Sequence, residues 1–162
     1  MSVVLLLAIA VVLCFGVVLL FGPPYLPTMR GQITLALDLL DLKPGQRLLE
    51  LGSGDGRVLL AAARRGLHVT GYEINPILVA VSYVRTWRYR SKVRIIWGSY
   101  WQPWPPAEGI FTFMLPRYMD KLDAVIRERY PHGGVRLASF AFALPAKKPR
   151  TAREGVFLYD YH

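Results

Sequence analysis

Glu50-Leu51-Gly52-Ser53-Gly54-Asp55-Gly56 is the stretch on which the fold turns. Ahead of it, Lys43-Pro44-Gly45-Gln46 reads as a turn and Arg47 to Leu51 as a short strand. Behind it, Gly56 to Arg65 is rich in Leu and Ala, which favour helix, and Gly66 stops that helix. Strand, glycine loop and helix in that order form the βα turn that brings a ligand to the carboxyl ends of parallel strands. Glycines let the backbone approach a ligand closely. The same residues also make a plain tight turn, and the loop alone does not separate the two readings.

Working outward, Leu67 to Tyr72 predicts a second strand ending at Glu73. Asn75-Pro76 is an N-cap with proline at the first helical position, so a helix is expected from Pro76 to about Arg88. Further strands are expected over Val93 to Trp97, Gly109 to Leu115, Gly134 to Phe142 and Gly155 to Tyr161, with a helix over Arg117 to Tyr130. An earlier helix fits Gln32 to Leu42, where Ile33, Leu37 and Leu40 share a face. Strands alternating with helices imply an α/β fold, a mostly parallel sheet with helices on both faces. Only one strand is expected after the fifth.

Two details bear on the ligand. A dinucleotide loop wants G-x-G-x-x-G, but here the third glycine comes one residue early, at Gly56, and Arg57 stands in its place. Glu50 and Asp55 would also repel a pyrophosphate at the helix amino terminus. S-adenosylmethionine carries a sulfonium and an ammonium against one carboxylate, and acids suit it. Glu73 ends the second strand, where a carboxylate accepts hydrogen bonds from ribose hydroxyls.

Glu50 to Gly56 resembles the first motif of the class I, seven-β-strand S-adenosylmethionine-dependent methyltransferases, which implies a Rossmann-like sheet. More narrowly, Pro24-Tyr25-Leu26-Pro27-Thr28, Leu51 to Arg57 and Gly71-Tyr72-Glu73-Ile74-Asn75-Pro76, placed after an apolar run, resemble the small membrane-anchored protein-lysine methyltransferases. That family includes enzymes acting on the adenine nucleotide translocase and on the c-ring protein of the ATP synthase. The resemblance implies that Glu50, Gly52, Ser53, Gly54, Asp55 and Gly56 surround the methionine part of the cofactor, that Glu73, Ile74 and Asn75 lie at its ribose, and that Ser99 and Tyr100 lie near its adenine. Many relatives carry an acid after the third strand; Gly98-Ser99-Tyr100-Trp101 has none. Relatives often begin the fourth strand with an acid, where this chain reads Glu108-Gly109-Ile110, and they end the sheet with an antiparallel hairpin.

Methyl transfer from a sulfonium is an in-line displacement with a good leaving group, so positioning and desolvation carry the catalysis. A lysine acceptor must lose its proton, and apolar or aromatic walls favour the neutral amine. Tyr25, Thr28, Pro116 and Tyr118 are candidates for the acceptor pocket, and Tyr100, Trp101 and Trp104 for its aromatic walls. Each aromatic has an ordinary packing role as its alternative, and no general base stands out.

Of the 162 residues, Met1 to Met29 include no Asp, Glu, Lys, Arg or His, so the formal net charge of +9 is carried entirely from Arg30 onward. Ser2 to Phe21 is almost wholly apolar, and as a helix at about 1.5 Å per residue it matches a bilayer core. A signal peptide would want a basic start and a small-residue cleavage site, and a buried helix a larger surround. The expected organisation is a transmembrane anchor over residues 1–21, a proline-rich connector over 22–30 and a cofactor-binding domain over 31–162. With its basic flank after the anchor, that domain is expected on the cytoplasmic or mitochondrial matrix side of a single-pass membrane protein.

Arg85, Arg88, Arg90, Lys92 and Arg94 form one basic cluster, and Lys147, Lys148, Arg150 and Arg153 another. Anionic lipid headgroups beside an anchor account for them more simply than nucleic acid does. A single cysteine, Cys14, and three scattered histidines give no metal-ligand spacing, so no metal is expected. The competing expectations are a lysine of a membrane protein as acceptor, a lipid, quinone or other small hydrophobic acceptor, and a cofactor-binding but inactive membrane module.

Overall fold

The computed structural model describes residues 28–162 together with residues 2–6, 8, 9 and 12. The anchor expected over residues 1–21 falls largely outside the described residues, as do Tyr25, Cys14 and all but the end of the expected connector. Residues 3–6, 8, 9 and 12 are helical and exposed. Among the described residues no helix is long and apolar enough to cross a membrane.

Chain order in the domain is α1 (Arg30–Leu40), β1 (Arg47–Leu51), α2 (Arg57–Arg64), β2 (His68–Glu73), α3 (Pro76–Thr86), β3 (Val93–Trp97), β4 (Gly109–Thr112), α4 (Met119–Arg129), β5 (Val135–Phe140), β6 (Thr151–Arg153) and β7 (Val156–Tyr161), with short 3-10 turns at Trp87–Tyr89 and Pro116–Tyr118. The strands form one sheet in the order β3-β2-β1-β4-β5-β7-β6. The first five run parallel; β7 is antiparallel to β5 and to β6. Strand order reverses between β1 and β4, and a ligand crevice opens at the carboxyl ends of the strands at such a switch point.

The expectation of a lone final strand is corrected. Thr151–Arg153 pairs with β7, with Ala152 opposite Phe157, and completes the antiparallel hairpin. Three residues without alternation carry no strand signal; pairing supplies it.

Alternation along each strand divides the core. Leu48, Val69, Ile95, Phe111, Ala138 and Leu158 pack on one side with Leu37 and Leu40 of α1 and Leu59 and Ala62 of α2. Leu49, Leu51, Tyr72, Ile110, Leu137 and Tyr159 pack on the other with Met119, Leu122 and Ile126 of α4. Both faces are thus covered, as a parallel sheet requires. Asn75 caps α3 as expected, its Oδ1 accepting from the Ile77 N–H at 2.9 Å and from the Leu78 N–H at 3.4 Å.

Candidate functional site

The loop after β1 is held open by its own backbone. The N–H groups of Gly52 and Ser53 both donate to the Tyr72 carbonyl, at 3.0 and 2.8 Å. Gly52, Gly54 and Gly56 adopt positive φ, a region that disfavours any side chain. A Cβ on Gly52 would meet nothing within 4 Å, so this backbone faces open space. Gly56 is different: its Cβ would fall 2.7 Å from Ser82 Oγ, and the loop packs there against α3. Ser82 Oγ donates to the Gly54 carbonyl at 2.8 Å and ties the two together.

Glu73 lies where the chain leaves β2, and both of its carboxylate oxygens face the loops. Oε2 accepts the Gly54 N–H at 2.8 Å and Oε1 accepts the Asn75 N–H at 2.8 Å. Each oxygen keeps a further lone pair for a second donor.

Glu50 is only 3% exposed. Burial, with Glu73 and Asp55 adding repulsion, pushes its carboxyl well above the usual carboxylate range, and the Leu59 amide opposes this only weakly. Among the described residues, Glu50 Oε2 and Ser53 Oγ are the buried polar side-chain atoms without a hydrogen-bond partner. Buried polar atoms are normally satisfied, so a pair of orphans beside an open glycine backbone points to a ligand with donors to give.

Asp55 sits in the loop as expected but faces away from that duty. Its carboxylate is paired with Arg57, at 2.9 Å, and Arg85, at 2.7 Å. Arg57 reaches on to the Thr28 carbonyl at 3.1 Å. Asp55 therefore fastens the loop to α2 and α3, and the arginines offset its charge. Nothing in the local sequence joins it to Arg85.

The expected adenine and acceptor residues gather at the carboxyl end of the sheet. The Ser99 hydroxyl accepts the Trp101 N–H at 3.2 Å. Tyr100 and Trp101 meet edge to face at 4.9 Å, and Trp101 meets Tyr118 at 6.2 Å. Burial, then Tyr118, pushes the Tyr100 phenol up to about 12, so it stays protonated at neutral pH. The Lys121 ammonium lies 4.2 Å from the centre of the Trp101 ring, and this wall accepts a cation on its face. Trp104 is set apart: its indole N–H donates to the Tyr100 carbonyl and Arg129 covers its ring. Pro116 and Tyr118 belong to the 3-10 turn after β4, and Thr28 is buried at the start of the continuously described chain.

Sequence reading missed a second aromatic group. Phe113 lies 4.8 Å from Phe140 and 6.3 Å from Phe142, because Thr112 pairs with Ser139 and the residues that follow are carried out of the sheet side by side. A phenylalanine one step past each of two adjacent strands was the available signal.

A sheet of this order, with a glycine loop after β1 and an acid closing β2, defines a Rossmann-like methyltransferase fold. The RNA methyltransferase from Salinibacter ruber, solved in complex with S-adenosyl-L-homocysteine, superimposes with a TM-score of 0.75 at 26% identity, over 84% of this chain and 92% of that one. The adenine nucleotide translocase lysine N-methyltransferase of Mus musculus is 32% identical over 147 residues, 86% of this chain and 63% of that protein. A lysine N-methyltransferase of Rattus norvegicus, named for the c-ring protein of the ATP synthase, is 31% identical over 144 residues, 85% and 66% respectively. The chain thus spans about two thirds of the length of these relatives. Residues 50–151 match the ANTKMT methyltransferase domain, and the chain belongs to that family.

Proposed function

We propose that this protein is an S-adenosylmethionine-dependent protein-lysine N-methyltransferase that acts on a membrane protein. The observation that carries the cofactor is the buried, unpartnered Oε2 of Glu50 beside the open backbone of Gly52. A cationic ligand with N–H donors fits that cradle, and a pyrophosphate does not. Glu50, Gly52, Ser53 and Gly54 hold the methionine end, Glu73 the ribose through its remaining lone pairs, and Ile74, Ser99 and Tyr100 flank the adenine. When bound, S-adenosylmethionine supplies an electrophilic methyl group on a sulfonium.

The chain's own part is to present a neutral amine to that methyl. Tyr100, Trp101 and Tyr118 form an aromatic wall that takes an ammonium on its face, and burial beside it favours loss of the amine proton. Phe113 extends the apolar lining past the end of β4. Relatives at 31 to 32% identity are named lysine N-methyltransferases, which supports lysine as the acceptor. The apolar residues 1–21 support a single-pass anchor, with the domain on the cytoplasmic or matrix side. The finished antiparallel hairpin removes one ground for an inactive module.

The test is tritiated S-adenosylmethionine added to membranes that hold the full-length protein. Label in acid-stable methyl-lysine of a membrane protein is the expected result. Label confined to the organic phase would assign a lipid or quinone acceptor instead.

A further inference from the structure

From residue 30 onward, the exposed large apolar residues all fall between Ile74 and Trp97: Ile74, Val81, Tyr83, Val84, Trp87 and Trp97. Ile74 and Trp97 stand beside Glu73 and belong to the cofactor end, where the Trp97 indole donates to the Ile74 carbonyl at 3.0 Å. The others do not. They lie on the outer face of α3 and the turn after it, and Val84 is 80% and Trp87 63% exposed. α3 buries Leu78, Ser82 and Thr86 against the domain and turns valines to the outside.

Charge on this face is of one sign. From Ile74 to Trp97 the chain holds Arg85, Arg88, Arg90, Lys92 and Arg94 and no Asp or Glu. The Arg90 guanidinium lies 5.0 Å from the centre of the Trp87 ring. Arg90 also lines a cleft of about 240 Å³ at the amino-terminal ends of β1, β2 and β3, together with His68, Lys92 and Arg94, and none of its lining residues is acidic. Apolar face and cationic cleft are therefore continuous.

Charged side chains guard an edge strand such as β3 against unwanted pairing, and that accounts for Lys92 and Arg94 by themselves. It does not account for exposed valines and an exposed tryptophan on the neighbouring helix. Soluble proteins rarely show a contiguous apolar patch without a partner. Aromatic side chains among arginines also suit single-stranded nucleic acid, through base stacking. Aliphatic side chains gain little there and much at the headgroup boundary of a bilayer, where Trp and Tyr concentrate.

We infer that the outer face of α3, with Val81, Val84 and Trp87 inserted and Arg88, Arg90 and Lys92 around them, rests on an anionic membrane surface, and that the adjoining cleft takes a lipid phosphate. The exposed apolar residues at 3–6, 9 and 12 fit the same location. The inference rests on the membrane location proposed above, but its test reads depth and not methyl transfer, so either can fail alone.

The test uses the full-length chain, Cys14→Ser, with a single environment-sensitive fluorophore at Val84→Cys, reconstituted into nanodiscs of phosphatidylcholine with or without phosphatidylglycerol. In anionic discs the probe is expected to be quenched by a nitroxide-bearing lipid and shielded from iodide. Shielding should be lost in zwitterionic discs and in the Arg88→Glu, Arg90→Glu variant. A probe at Glu128→Cys, on α4 across the sheet, should stay open to iodide throughout and reports that the domain is folded in each variant. Equal iodide access at position 84 in anionic discs and in detergent overturns the inference. Shielding by added single-stranded RNA in place of lipid also overturns it and assigns the face to nucleic acid.

Discussion

Gly54 and Glu73 are joined across 19 residues by a hydrogen bond from the Gly54 N–H to Glu73 Oε2 at 2.8 Å. The carboxylate therefore shapes the glycine loop before any ligand arrives, and its second oxygen fixes the start of α3 through the Asn75 N–H. Glu73→Ala removes these anchors together with the expected ribose contacts. Two charge-assisted bonds at about 1.5 to 3 kcal/mol each predict a loss of S-adenosylmethionine affinity of roughly 100-fold or more. Glu73→Gln keeps one acceptor and should fall between. Calorimetric titration of the two variants checks this; unchanged affinity in Glu73→Ala would remove Glu73 from the cofactor site.

Glu50 predicts a pH dependence. Its carboxyl is raised above its ordinary value of 4.5 by burial and by Glu73 and Asp55. The folded protein therefore binds a proton that the unfolded chain releases earlier, and stability falls as pH rises from about 4.5 through the raised value. Glu50→Gln should flatten that slope in urea titrations run across the interval. Cofactor binding should act in the opposite sense: a cation favours the ionised carboxylate, so affinity rises with pH and a proton is released. The variant should lose roughly 10- to 100-fold in affinity along with the proton release. A pH-independent affinity in the wild type would place Glu50 outside the ligand's reach.

How much of this is legible in the sequence follows from where each signal lies. β1 and β3 are readable to the residue, because a run of apolar residues is bounded by turn residues close by. Asn75 is readable as a cap because its partners are two and three residues away. Asp55 reads as facing the ligand, since its partner Arg85 lies on a different helix and nothing local joins them. β6 escapes notice because Thr151, Ala152 and Arg153 become a strand only through β7. The Phe113, Phe140 and Phe142 group needs the β4 to β5 register, which is a tertiary fact.

Asp55 supports a prediction that separates scaffold from site. Asp55→Ala takes from Arg57 and Arg85 the carboxylate that they share. Breaking a buried pair in this way costs about 3 to 5 kcal/mol. Both arginines are about one third exposed, so screening reduces this to about 1 to 3 kcal/mol. The urea midpoint should drop accordingly. Cofactor affinity, measured well below the melting range, should change far less than in Glu73→Ala. A larger loss of affinity than of stability would return Asp55 to direct contact with the ligand.

Gly71 supplies the most local test, because it sits on β2 directly opposite Glu50. A Cβ there would lie 2.7 Å from Ser53 Cβ and 2.8 Å from Leu59 Cδ2. Leu59 ends in a flexible side chain and can give, but Ser53 cannot move without its loop, since its N–H is held by the Tyr72 carbonyl. Gly71→Ala should therefore cost about 1 to 3 kcal/mol through overpacking and also weaken cofactor binding, by pushing the loop off the strand. Ser53→Gly removes both atoms that Ser53 places against the new methyl. The double variant Gly71→Ala, Ser53→Gly should recover part of the stability lost in the single one, measured as a coupling in a double-mutant cycle. Strict additivity of the two changes would show that the strand and the loop do not meet at this point.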